Sequence, residues 1–425
     1  RYETLQEHTK RYISHLNTII KTRNLNTVFL NFKNFLFPDK DKRFFLLFDE
    51  MIINTIVFHD LGKVNPLFPR LKMQNPIFSK EKGDTSLGTE HSIISAILYL
   101  EYFLPKSMDF PKEIRNKFRL LTYINAYVIS KHHGSLNKFE NFLNAFFEED
   151  HNYRYFIDII RNDYCKFFNI NFINNVYSKR CIKTVIKYEL SCRDESIALY
   201  AYERLMYSLL VASDYYATSE FNNNNFITSF HGIIEDINEI RTVFNNTYLN
   251  QNIEEYRKTK YYQKDKNLKN VYDINILRNE LYLDTERELM ANIDENLFYL
   301  EAPTGSGKSN VAFNLSFKLI EHCPDINKIM YIYPFNTLVE QNLKSIERIF
   351  GNDKKILANI SVVNSVTPII KEGDDYCYDD YEKALLDRQF FNYPITLSTH
   401  VTLFDLLFGI NKESGFAFYQ ICNSV

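Results

Sequence analysis

The sequence predicts a multi-domain protein, an all-α helical bundle followed by an incomplete α/β domain built on a parallel sheet. Three observations predict it. From Leu5 to about Phe230, core-facing positions recur at helical spacing, as in Leu5, His8, Tyr12, Leu16 and Ile19, and alternation bounded by turn signals is scarce. Beyond residue 276 the pattern changes to short apolar runs, Leu297–Leu300, Ile329–Ile332, Ile360–Val363 and Ile395–Ser398, separated by helix-length segments; strand and helix in alternation argue for a parallel sheet with helices on its faces. Finally, 36 Phe and 30 Tyr stand beside 11 Gly, 11 Pro and no Trp, a balance that favours packed helices over a glycine-rich all-β fold.

In order along the chain, residues 1–230 are the expected bundle, 231–275 a linker and 276–425 the sheet domain. The polar stretch from Phe244 to Asn275 carries only scattered aromatics and reads as a linker or a solvated helix pair. With 425 residues, 45% hydrophobic and 24% charged, the chain can bury two or three cores, which excludes disorder and fibrous repeats. The net charge of -3 removes a globally basic surface as an argument for nucleic acid but leaves room for a local basic groove. Cys165, Cys181, Cys192, Cys323, Cys377 and Cys422 are scattered without a C-x-x-C pair, so neither a disulfide framework nor a thiolate zinc site is suggested, and a reducing, cytoplasmic setting is expected. No apolar run approaches the roughly 18 to 20 residues that span a bilayer, and residues 1–10 hold no signal-peptide stretch, so no membrane is expected. The chain opens on Arg1 rather than Met and closes on Val425 soon after a strand-like segment, which reads as part of a longer protein.

The strongest single motif is Ala302-Pro303-Thr304-Gly305-Ser306-Gly307-Lys308-Ser309, between the expected strand at Leu297–Leu300 and a helix through Val311 to Leu319. Glycines let backbone N–H groups close around phosphates at a helix N-terminus, Lys308 brings a point charge to the β/γ oxygens, and the Ser309 hydroxyl completes a Mg²⁺ shell. Thr304, Gly305, Ser306, Gly307, Lys308 and Ser309 are thus the expected ATP-binding residues, with Mg²⁺ accompanying ATP. An Asp-Glu pair after this loop would position Mg²⁺ and water for hydrolysis. The pairs at Asp49-Glu50, Asp194-Glu195 and Asp294-Glu295 all precede it, so this chain is expected to bind a nucleotide without turning it over.

The N-terminal half carries Phe58-His59-Asp60-Leu61-Gly62-Lys63, then Glu90-His91-Ser92, then Lys131-His132-His133-Gly134, then Ala212-Ser213-Asp214-Tyr215. Imidazole and carboxylate are the ligands that divalent transition ions take from helices, and Asp60 can bridge two ions beside His59. His59 and Asp60 close the apolar run Met51–Phe58, where a charged pair must be partnered or metal-bound. Alternatives stay open for single members: His91 as an N-terminal structural residue, and Asp214 as a helix-face carboxylate paired to a lysine. His132 and His133, about 100° apart on a helix, could serve different metals. His8 and His15 share one face of the first helix, and His8 is the favoured ligand. Lys63 reads either as a group near a scissile phosphate or as a salt-bridge partner.

The order His, His-Asp, His, His-His, Asp resembles the HD phosphohydrolase superfamily, most specifically at Phe58-His59-Asp60-Leu61-Gly62-Lys63. An HD-type bundle followed by a superfamily-2 helicase motif I is similar to the CRISPR-associated nuclease-helicases of type I interference systems. Tyr333-Pro334-Phe335-Asn336-Thr337-Leu338-Val339-Glu340-Gln341 resembles helicase motif Ia, and Ser398-Thr399-His400-Val401-Thr402 the strand just upstream of motif II. The resemblance implies a metal-dependent nuclease on single-stranded DNA and a RecA-like, ATP-driven helicase domain, here lacking motif II and the second RecA-like domain. It implies as partners single-stranded DNA, the crRNA-guided surveillance complex (Cascade) and anti-CRISPR inhibitors.

The expected mechanism is two-metal phosphodiester hydrolysis, with ions held by His8, His59, Asp60, His91, His132, His133 and Asp214, and with His59, Asp60 and Lys63 at the chemistry. Such ions, about 3.5 to 4 Å apart, lower the pKa of a bound water and clamp the attacking and leaving oxygens. Imidazole-rich ligation favours Mn²⁺, Fe²⁺, Co²⁺ or Ni²⁺ over Mg²⁺. Two rival readings are an HD-type phosphohydrolase of a nucleotide or cyclic nucleotide regulated by the P-loop domain, and a non-catalytic docking module. Helicase-like segments after the P-loop have no role in a small-nucleotide phosphohydrolase, which favours the nuclease.

Overall fold

A computed structural model describes residues 3–64, 67–78, 90–147, 151–161, 176–189, 195–223, 237–261, 268–351, 353–357, 359–363 and 390–425. The chain forms two compact units. The first comprises residues 1–21, 25–228 and 406–419, and the second residues 22–24, 229–405 and 420–425.

Among its described residues the first unit holds helices and no strand, chiefly α1 (Leu5–Thr22), α2 (Leu25–Leu36), α3 (Lys42–Phe58), α4 (Leu67–Leu71), α5 (His91–Phe103), α6 (Lys112–Lys131), α7 (Phe139–Phe147), α8 (His151–Ile159), α9 (Tyr177–Glu189) and α10 (Ser196–Asn223). Periodicity explains them. α1 buries Tyr12, His15, Leu16 and Ile19, one stripe at three- and four-residue spacing. α3 starts at Asp41, whose carboxylate accepts the Arg43 N–H at 2.8 Å as an N-cap, and buries Phe44, Leu47, Phe48, Met51, Ile52, Thr55 and Ile56. α5 is apolar all round and buries everything from Ile94 to Leu100, which makes it the central helix, packed on α3 and α6. Polar groups at that crossing are linked: Asn125 donates to the Tyr99 hydroxyl at 2.9 Å, and Tyr99 and Thr55 both donate to the Met51 carbonyl.

Residues 406–419 complete this unit through α10. Buried Arg204 donates to the carbonyls of Leu406 (2.7 Å) and Gly409, and Ser208 donates to Phe416 at 2.6 Å while accepting from the Tyr419 N–H. Gly415 lies against the Tyr207 ring, 2.6 Å from where a Cβ would sit, so no larger residue fits without moving the ring.

The second unit holds a three-stranded parallel sheet in the order β1-β3-β2, with β1 at Ile329–Tyr333, β2 at Ile360–Val363 and β3 at Ile395–Thr399. Ile395 of central β3 is in register with Ile329 on one side and Ile360 on the other. Every β3 residue is buried, as a parallel strand covered on both faces must be. Its helices include α11 (Ile237–Asn245), α12 (Tyr248–Tyr256), α13 (Ile274–Ala291), α14 (Lys308–His322) and α15 (Asn336–Phe350). Phe313, Phe317, Val339, Ile346 and Phe350 of α14 and α15 close over Ile329, Val362, Ile395 and Leu397.

Two expectations change. Leu297–Leu300 is not a strand: Leu297 and Tyr299 are 89% and 87% exposed. A strand needs a neighbour for its ladder, and the outer edge of β1 is taken by the chain end, where Met330 N–H donates to Val425 at 2.7 Å and Val425 N–H to Lys328 at 3.0 Å. Within 231–275, α11 and α12 bury Ile240, Phe244 and Ile253, so this helix pair is packed rather than solvated, its spaced apolar residues being enough for one buried stripe each.

Candidate metal centre and phosphate loop

In the first unit, helix ends converge on one carboxylate. α3 stops at His59 and α6 at His132, and each turns Nδ1 onto the carbonyl three residues back, Ile56 at 2.6 Å and Ile129 at 2.7 Å. A ring nitrogen facing a carbonyl must carry the proton, so both rings hydrogen-bond a carbonyl of the last helical turn through Nδ1, and in the neutral form of either ring the lone pair is on Nε2. This is the outer-shell bond that orients metal-ligating histidines. His91 opens α5, His8 sits on α1 and Asp214 on α10.

Asp60, 1% exposed, stands at the centre. Its Oδ1 lies 3.4 Å from His91 Nε2 and 3.6 Å from His132 Nε2. Its Oδ2 lies 3.4 Å from His59 Nε2 and 3.7 Å from His8 Nε2. His91 and His133 face each other Nε2 to Nε2 at 2.9 Å, and His8 Nε2 is 3.3 Å from Asp214 Oδ1. The atoms therefore fall into two groups that share Asp60, one with His91, His132 and His133, the other with His8 and His59. Contrary to the helical divergence expected of them, His132 and His133 belong to one group, because the helix has ended by His132 and the turn brings both rings within 3.9 Å of each other.

The donor set fits cations. The Nε2 atoms of His8, His59 and His132 and the Oδ1 of Asp60 are buried without a hydrogen-bond partner. Each such orphan costs about 1–3 kcal/mol, a cost that a bound ion removes. Burial pushes the Asp60 carboxyl up, but the imidazoles of His59, His132 and His91 outweigh it and hold the group well below the usual carboxylate range. Burial likewise opposes ionisation of Asp214, and the nearby imidazoles of His8 and His59 overcome it. Burial pushes His132 down, and pushes His133 down to about 3 with the neighbouring histidines adding to it. At neutral pH the site thus presents two carboxylates beside the neutral imidazoles of His132 and His133.

These shifts predict a pH dependence of the metal-free chain. His132 and His133 stay neutral when folded but take up protons near 6.5 when unfolded, so the unfolded state binds more protons below that pH. Stability is expected to fall as pH drops from about 7.5 to 5, read as a falling Tm in chelator; a flat profile would show both rings to be solvated.

Lys63 places its Nζ 2.6 Å from Asp60 Oδ2, the salt-bridge position of its two readings. His15 is outside the cluster, buried and bound to Glu220 at 2.6 Å. Two contributors escaped the sequence. Tyr12 stacks on the His59 ring at 4.4 Å and donates to the Leu210 carbonyl; its only signal is the four-residue step from His8. Gly62 lets the turn after Asp60 touch α5: its N–H donates to Ser95 Oγ at 2.8 Å, and a Cβ would lie 2.1 Å from the His91 carbonyl oxygen.

In the second unit, Gly305 (φ 79°) and Gly307 (φ 92°) take left-handed conformations that fold residues 302–309 over the N-terminus of α14. Lys308 Nζ reaches the Ala302 and Pro303 carbonyls, and the buried Ser306 Oγ has no hydrogen-bond partner. Arg278 of α13 grips the Gly305 carbonyl from Nε and Nη2 at 2.9 and 2.7 Å. Ser309 donates to Asn342 of α15 at 3.0 Å. Thr304 stands exposed at the start of the loop.

Residues 284–421 match the family model of the DEAD/DEAH box helicases, so this stretch is helicase-like. No curated protein matches the chain. Similar solved structures are T. fusca Cas3 with AMPPNP (13% identity, TM-score 0.49, covering 100% of this chain and 45% of that one) and T. fusca Cas3 with ATP (12%, 0.48, 98% and 44%). The chain spans less than half the length of these structures. Among the described residues, no helix is long and apolar enough to cross a membrane.

Proposed function

We propose that the helical unit is an HD-type, metal-dependent nuclease for single-stranded DNA, joined to an ATP-binding helicase domain of RecA-like fold, and that the whole protein works in type I CRISPR interference with a crRNA-guided surveillance complex. The observation that carries the nuclease reading is Asp60, buried between two imidazole groups in which the Nε2 atoms of His8, His59 and His132 lack partners. His8, His59, His91, His132, His133, Asp60 and Asp214 would hold two divalent transition ions. When bound, these ions supply Lewis acidity and a water acidic enough to attack a phosphodiester at neutral pH. The chain's own residues do the rest. Ile56 and Ile129 fix the tautomers of His59 and His132, Tyr12 holds the His59 plane, and Asp60 gives one carboxylate oxygen to each group. Lys63, at the exposed side of Asp60, provides a positive charge for an incoming phosphate. The P-loop residues 304–309 take Mg²⁺ with ATP, a reading supported by the unpartnered Ser306 hydroxyl and the helicase-like stretch around it.

The test is cleavage of circular single-stranded DNA by the purified chain without ATP, in chelator and then with Mn²⁺, Co²⁺, Ni²⁺ or Mg²⁺. Metal-dependent cutting supports the nuclease, and hydrolysis of small nucleotides alone would replace it. Metal content separates two histidines of one helix face: His8→Ala is expected to lower the bound ions from two equivalents toward one, whereas His15→Ala keeps both. Equal losses in elemental analysis would remove His8 from the ligand set.

A further inference from the structure

The Ser309 hydroxyl lies at the position where a P-loop ligates Mg²⁺, and its proton is already committed. It donates to Oδ1 of Asn342, a residue 33 positions later on α15. The orientation of that amide is not free: Asn342 Nδ2 donates to the Leu338 carbonyl at 2.9 Å, one turn back on the same helix. A carbonyl can only accept, so the amide nitrogen must face Leu338 and the amide oxygen must face Ser309. The oxygen in turn requires the Ser309 O–H as donor. With its proton directed at Asn342, the Ser309 oxygen keeps its lone pairs for the loop side, where a cation would stand.

We propose that Asn342 is a positioning residue for the Mg²⁺ of the nucleotide site, acting through Ser309. The inference rests on the P-loop reading above and adds to it a residue outside the loop. A hydroxyl without such an acceptor can rotate its proton toward the loop, where it repels a cation and must be turned away before ligation. Outer-shell partners of this kind are worth about 10- to 100-fold in metal affinity. Ser309 and Asn342 are solvent-accessible, which places the effect at the lower end. Asn342→Leu keeps the size and removes the acceptor. Asn342→Asp keeps an oxygen toward Ser309.

The experiment is binding of a fluorescent ATP analogue to the full chain, titrated with Mg²⁺ and repeated in chelator. Asn342→Leu is expected to need about tenfold more Mg²⁺ for half-maximal enhancement of binding, with little change in chelator, and Asn342→Asp to recover most of the loss. In a Ser309→Ala background, Asn342→Leu should cost nothing further. A thermal melt matching the parent shows that Asn342→Leu has folded. An unchanged Mg²⁺ midpoint, or a loss that persists in full beside Ser309→Ala, would overturn the assignment. A parent chain that binds no nucleotide under either condition, or binds as well after Lys308→Ala, would overturn the P-loop reading and this inference with it.

Discussion

Asp60→Ala is expected to abolish single-strand cleavage in every divalent metal, a loss of about a thousandfold or more, and to empty both metal positions together. Asp60 is the only residue common to the two donor groups among the described residues. Removing a ligand from one group would spare the other; removing the shared carboxylate takes a negative charge from both at once. The groups then consist of imidazoles, which bind cations less well without a carboxylate to offset charge. The change also leaves the Nζ of Lys63 without its 2.6 Å partner. Asp60→Asn isolates charge from shape: it fills the same space, so cleavage lost in both variants with metal lost in both assigns the effect to the carboxylate. A variant that retained two equivalents of metal by elemental analysis would show that Asp60 does not bridge. A helicase-like unit whose ATP analogue binding stays at parent level is the internal control, because residues 304–309 share no residue with the site.

The second large effect is expected at Gly62. A methyl group there would stand 2.1 Å from the His91 carbonyl oxygen and 2.7 Å from its Cα, and these are backbone atoms with no rotamer to change. Gly62→Ala must therefore push the turn after Asp60 away from α5, which breaks the Gly62–Ser95 bond and separates His91 from Asp60. The cost is about 2–4 kcal/mol of stability, in the range of overpacking plus a lost buried hydrogen bond. Metal affinity falls with it, since His91 belongs to one donor group. Gly134, two residues beyond His132, offers the comparison: a Cβ there meets nothing within 4 Å, and Gly134→Ala should stay within about 0.5 kcal/mol of the parent. Denaturant melts of the two variants decide the matter; equal stabilities would mean that the turn adapts without strain.

Much of this site was legible in the residues themselves. His59 and Asp60 ending an apolar helix, His91 opening another and Asp214 within a third could be read from periodicity, because burial of a charged pair at a helix end demands a partner. The strands at Ile329, Ile360 and Ile395 were legible for a similar reason, as apolar runs between helix-length segments. Four things were not. Leu297–Leu300 has the composition of a strand, but whether a strand forms depends on a neighbouring edge, which composition does not encode. The choice of His8 over His15, two turns apart on one face of α1, turns on Glu220, far away in sequence. The convergence of His132 and His133 depends on where α6 stops. The role of Gly62 depends on how closely α5 approaches it, and no local pattern reports that distance.

The boundaries of the first unit bear on how the protein can be divided. Because residues 406–419 belong to it, a cut near residue 228 would not release an independent helical unit. Such a fragment would retain Arg204 but lose the Leu406 and Gly409 carbonyls to which it donates, and Ser208 would lose both its acceptor on Phe416 and the Tyr419 N–H. Hydrogen bonds to a buried charge are worth about 1.5–3 kcal/mol each, so the severed bundle would start with a deficit comparable to a large share of a domain's net stability. Expression of the N-terminal part alone would test solubility rather than chemistry, and a peptide spanning residues 406–419 supplied in trans is the reagent that would restore it.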